Sequence, residues 1–99
     1  MTQPRDGAIV VELPSMLQPY AAGRAEIRLG APCRTVGDAL AAIASLHGGV
    51  TDRVMDERGV VRQHVNVFVD GENIRFVAGL QTPVDPGSTI VIVPAVSGG

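Results

Sequence analysis

Over one stretch of this chain the apolar residues recur with the period of a helix; the other apolar runs alternate, or are continuous, as strands do. In "TVGDALAAIASLH", Val36, Leu40, Ile43 and His47 fall on one stripe, flanked by Ala39, Ala44 and Leu46. Thr35 has the chemistry of an N-cap, and Asp38 three residues on completes a capping box. Gly48-Gly49 reads as the stop. Twelve helical residues rise about 18 Å, enough to cross one face of a small sheet. A single helix set among strands predicts a two-layer α+β domain.

The strands come in order. "GAIVVELP" puts Ile9, Val11 and Leu13 on one parity and Val10 and Glu12 on the other, and Pro14 ends it. After a polar stretch to Gly23, "AEIRLG" places Ala25, Ile27 and Leu29 opposite Glu26 and Arg28, so the two runs form a hairpin. Val50 to Gly59 carries a weak pattern, with Val54 and Met55 as core contacts and "DERG" as a turn. "HVNVFVDG" is a third strand closed by Asp70-Gly71, a pair suited to a tight turn. "ENIRF" adds a short edge segment, "TPVDPGS" turns the chain, and "TIVIV" is a β-branched final strand. An uninterrupted apolar strand belongs in the middle of a sheet. Pairing it beside the first strand, with the helix across one face, predicts a β-grasp, ubiquitin-like fold: a mixed sheet of four to five strands and one main helix.

Composition narrows the function. With 45% hydrophobic and 18% charged residues the 99-residue chain can fold as one domain, and a net charge of −2 gives no basic surface for a nucleic acid. The apolar runs are too short to span a bilayer, and "MTQPRDG" lacks a signal pattern, so neither membrane nor export is expected and the cytoplasm is the expected compartment. Cys33 is the sole cysteine. With His47 and His64 outside any ligand or nucleophile motif, neither a catalytic nor a metal site is expected. The eight basic residues are all arginine, so no side-chain amine is present.

The chain ends in "PAVSGG". Pro94 lacks an N–H and cannot continue sheet pairing, so the chain is expected to leave the sheet there. That divides it into a domain over 1–93 and a flexible tail over 94–99, about 20 Å long when extended. Val96 and Ser97 lead to Gly98 and Gly99, which have no side chain to stop the tip threading a narrow channel or to shield its carbonyl. On the sheet, Val65, Val67 and Val69 are expected to face the helix, as are Ile90 and Ile92. Phe68, Val91 and Val93 then point outward and form an apolar patch beside the tail, the kind of surface that marks a partner site.

The spans "VELPSMLQPYAAGRAEI", "TVGDALAAI", "VNVFVDGENIRF" and "GLQTPVDPGSTIVIVPAVSGG" together resemble the small sulfur-carrier proteins of the ThiS and MoaD family, closest to its CysO branch. The likeness runs nearly end to end. It implies that Gly99 is adenylated by an ATP-dependent activating enzyme and, with a sulfurtransferase, converted to a thiocarboxylate. The chain itself would bind no cofactor and catalyse nothing. The CysO-like features imply delivery to a pyridoxal-phosphate enzyme that makes cysteine, with a metallopeptidase releasing the product. A thiazole-synthase-like enzyme, the large subunit of molybdopterin synthase, or a route to another sulfur metabolite are acceptors of the same chemistry. Two other readings use the fold differently: a ubiquitin-like modifier joined to target lysines, and an inert β-grasp interaction module.

Overall fold

The computed structural model describes residues 7–30 and 32–94. Five strands form one sheet: β1 (Ile9–Glu12), β2 (Glu26–Leu29), β3 (Val65–Val69), β4 (Glu72–Asn73) and β5 (Thr89–Pro94). Their order across the sheet is β2-β1-β5-β3-β4. The first and last strands are parallel neighbours, with Val11 beside Ile90, and the remaining pairs are antiparallel. This is the predicted arrangement, with the "TIVIV" strand at its centre.

The helix α1 (Val36–Leu46) packs on one face. Its start is the expected capping box: Thr35 Oγ1 accepts from the Asp38 amide at 3.1 Å, and Asp38 Oδ2 accepts from the Thr35 amide at 3.3 Å. Val36, Ala39, Leu40 and Ile43 are fully enclosed against Val11, Val67, Ile90 and Ile92 in one core cluster. Of the expected stripe, His47 is only half-buried, and of its flanking residues Leu46 is 61% exposed and Ala44 is exposed too.

Gly48-Gly49 does more than stop a helix. His47 breaks α1 with φ −145° and ψ 74°, and the two glycines open a second helix, α2 (Gly48–Val54). Gly49 packs closely against Tyr20: a Cβ at this position would lie 3.2 Å from one ring carbon. Val50 and Val54 of α2 complete the core with Leu17 and Ala21, which come from a 3₁₀ turn over Ser15–Ala21 in the stretch read as a polar loop.

Asp70 and Gly71 both take positive φ, 48° and 91°, as a tight β3–β4 turn requires. The Asp70 carboxylate also fastens the start of β5, accepting from the Thr89 amide at 2.9 Å and the Ser88 hydroxyl at 3.0 Å. "ENIRF" is an edge strand only for its first two residues; Ile74–Phe76 turns as a 3₁₀ segment that buries Ile74. Pro94 is part of β5, in register with Val65, so the sheet extends one residue beyond the expected boundary. A terminal strand position tolerates proline because its carbonyl remains available when its N–H is missing.

Candidate functional site

Strand parity sorts the sheet's two faces as the alternation predicted. Val65, Val67 and Val69 are buried, as are Ile90 and Ile92, while Asn66, Phe68, Val91 and Val93 are half-buried on the side away from α1. Phe68 stands directly across from Val91 and Asn66 across from Val93, so two rungs of the central strands carry the patch. Val10 of β1 extends it on the far side of β5. On the opposite flank Asn73 Nδ2 donates to Asn66 Oδ1 at 3.2 Å, giving the apolar strip a polar margin.

The margin on the β1–β2 side is acidic. Glu12 and Glu26 are exposed and directly opposed. The amide of Leu13 donates to the Ala25 carbonyl one rung further on, so the two glutamates occupy a non-hydrogen-bonded pair, where side chains come closest. Neither carboxylate has a hydrogen bond or ion pair among the described residues. An apolar strip beside a like-charged pair is poor in stability terms and well suited to a partner with an apolar surface flanked by cations.

The patch lies on the strand that leads to the C-terminal segment. Val93 belongs to it, Pro94 follows, and the remaining residues read as the tail, Val96, Ser97, Gly98 and Gly99, lie outside the described residues. At the same end of the sheet a groove opens beside Pro94, between the 3₁₀ turn and the entry to β3.

The other candidates are scattered. Cys33 sits before α1, partly buried against the core. Burial first, and the negative charge of Asp38 second, push its thiol above the usual range. A neutral thiol is a weak nucleophile. His47 lies between the helices and His64 ahead of β3. No group of three His, Cys, Asp or Glu side chains among the described residues could hold a metal ion. No helix of the described residues is long and apolar enough to cross a membrane. Asp56, held below the usual carboxylate range by its side-chain bond from Arg58, belongs to a surface turn.

Two exposed aromatics were missed: Tyr20, 41% exposed in the 3₁₀ turn over Ser15–Ala21, and Phe76. Phe76 is 86% exposed, with Val77 beside it at 48%, in the turn after β4. The only sequence signal was that "ENIRF" fits neither strand nor helix period well enough to bury both Ile74 and Phe76.

This geometry, a mixed five-stranded sheet with a helix on one face and an apolar opposite face, defines the class of ubiquitin-like β-grasp proteins. The chain belongs to the ThiS family, whose model matches residues 12–99. It is 31% identical over 93 residues to the sulfur carrier protein CysO of Mycobacterium tuberculosis, covering 92% of this chain and 98% of that one. The fold is similar to the crystal structure of the Amycolatopsis orientalis BexX/CysO complex, at TM-score 0.83 and 33% identity over 93% of this chain and 100% of that one. It is also similar to the small archaeal modifier SAMP1 of Haloferax volcanii, at TM-score 0.76 and 31% identity over 93% of this chain and 99% of that one. Proteins of this kind are acted on by enzymes and are not themselves catalysts.

Proposed function

We propose that this chain is a sulfur carrier whose C-terminal Gly99 is the reacting group. The observation that carries this reading is membership of the ThiS family together with a Pro94-to-Gly99 ending that follows the central strand. A carboxylate is a poor electrophile because it is anionic and has no good leaving group. In the proposed cycle the Gly99 carboxylate attacks the α-phosphorus of ATP on an activating enzyme and expels pyrophosphate, forming an acyl adenylate. Hydrosulfide then adds to the carbonyl, AMP leaves with the bonding pair, and a proton is lost to give the thiocarboxylate. Its exposed anionic sulfur is the donor.

The strip of Phe68, Val91 and Val93 supplies docking for the activating and acceptor enzymes while the tail enters their active sites. The similarity to CysO favours a pyridoxal-phosphate-dependent cysteine synthase as acceptor, and the BexX/CysO complex is a precedent for a relative of this chain assembling with another protein. The likeness to SAMP1 favours a second reading, a modifier joined to target lysines. The absence of lysine bears on it: a modifier of this sequence has no side-chain amine on which a second copy could be added.

The test is intact-mass spectrometry after incubation with ATP, the cognate activating enzyme and sulfide. One terminal oxygen should be replaced by sulfur. Deleting Gly99 should abolish the change and leave the unfolding midpoint where it was, since a terminal residue beyond the sheet adds little packing. Thiolation of the shortened chain would assign the chemistry elsewhere, and lysine-linked adducts on target proteins without thiolation would favour the modifier.

A further inference from the structure

A second groove, of about 330 Å³, opens beside the segment that follows β4. Val67 and Ile74, both buried, form its base, and Val60, Val61 and Leu80 line it with Arg75. The Arg75 guanidinium is tied down: its Nη2 donates to the carbonyls of Arg62, Gln63 and Val65 at 3.0, 3.1 and 2.7 Å, which anchors the cation in the wall. An apolar hollow with an anchored cation beside it suits an aromatic ring, which fills the space and turns a negative face to the charge. An apolar cavity of about 150 Å³ already holds benzene, so a phenyl group fits here with room to spare.

The chain carries such a ring at the rim. Phe76 follows Arg75 directly and is 86% exposed, so it does not fill its own groove; Val77 is half-exposed next to it, and Gly79 and Leu80 return to the groove. The other two aromatics are committed elsewhere. Phe68 is half-buried on the far face of the sheet, and the Tyr20 ring lies under the Arg53 guanidinium at 3.7 Å.

We propose that two copies of this chain associate about a two-fold axis, the Phe76 ring of each entering the groove of the other. A two-fold contact has to be self-complementary, and a projecting ring next to a matching hollow on one surface meets that condition. Area sets the strength. An aromatic side chain buries about 150 to 250 Å², and each insertion covers a similar area of groove wall, so two insertions bury roughly 600 to 1,000 Å² in all. Val60 and Val77, both half-exposed, extend the contact. The sum stays near the low end for specific interfaces, about 1,200 Å², so the dimer is weak and forms at high concentration. Val67 has the parity that faces α1, so this groove and the strip of Phe68, Val91 and Val93 lie on opposite sides of the sheet, and dimerisation leaves the strip open. The inference goes beyond the sulfur-carrier reading and does not rest on it.

Sedimentation equilibrium on the full chain tests it. Between about 10 µM and about 1 mM the weight-average mass of wild type should rise from 10.3 kDa toward twice that value and stop there. Phe76→Ser should weaken association by about thirtyfold or more, and Phe76→Tyr, which keeps the ring, should retain it. A mixture of isotope-labelled and unlabelled wild type should show nuclear Overhauser contacts between copies, from the Phe76 ring to the Val61 and Leu80 methyls, which needs no variant. A mass of 10.3 kDa throughout overturns the proposal, and a mass that climbs past the dimer overturns the reciprocal geometry it depends on. Association that survives in folded Phe76→Ser, or contacts between copies made by Phe68 instead, places the interface elsewhere and overturns it as well. No enzyme is present, so this measurement and the thiolation assay can each fail without the other.

Discussion

Phe68 and Phe76 are the only phenylalanines in the chain, and neither is in the core. Phe68→Ala should therefore cost far less than the roughly 3 to 5 kcal/mol of a core phenylalanine, measured by urea unfolding. Affinity for the activating enzyme should fall about thirtyfold, the equivalent of about 2 kcal/mol at an interface anchor. Phe76→Ser is the matched control: it should leave stability within about 0.5 kcal/mol, and a loss of binding there would move the docking face to the β4 side. Cys33 gives a second residue-scale expectation. Its raised pKa means the folded state holds the proton more tightly than the unfolded chain. That contribution to stability is present below the ordinary thiol pKa and is lost as pH rises through the raised value. Iodoacetamide should accordingly modify Cys33 more slowly than an unfolded control at pH 8, and Cys33→Ser should accept sulfur at Gly99 normally. Loss of loading in a folded Cys33→Ser protein would point to a persulfide on that thiol.

At the level of elements, the adjacent glycines that open α2 separate two effects of one residue type. A Cβ at Gly48 would meet nothing within 4 Å, so Gly48→Ala should stabilise the chain by about 0.4 to 1 kcal/mol through the unfolded state. At Gly49 the added carbon presses on Tyr20, so Gly49→Ala should gain less or lose, and comparing the two unfolding midpoints shows which. The same pair shows where the sequence was hard to read. Two glycines after an amphipathic stretch look like a terminator, and the ring of Tyr20 that packs against the second of them is far away in sequence. "SMLQPYA" was hidden for a related reason: with Pro19 inside it and only seven residues, it has no helical period, yet it buries Leu17 and Ala21. The strands were legible because their alternation is set by a sheet with one covered face. Asn66 beside Phe68 and Glu12 beside Val11 mark which parity meets water.

For the molecule as a whole, the order of strands followed from "TIVIV" alone needing a central place, whereas the chemistry proposed for the tail rests on the resemblance of the whole chain to a family. The acceptor was not legible, because any enzyme that takes a thiocarboxylate would read the same ending. Placing β5 between β1 and β3 has a mechanical result. A tail drawn into an enzyme's channel pulls on a strand held by neighbours on both sides. Because β1 and β5 are parallel, force applied beyond Pro94 against an anchor before Ile9 loads their shared hydrogen bonds together, in shear, whereas the β1–β2 hairpin pulled at its open ends would peel one bond at a time. Single-molecule stretching between the two termini should thus show one high-force rupture, and a low-force, stepwise release would contradict this. Under load, the folded domain is a knot at the end of a thread: an enzyme that takes the tail in the proposed way would draw it in as far as Pro94, and there the pull would stop.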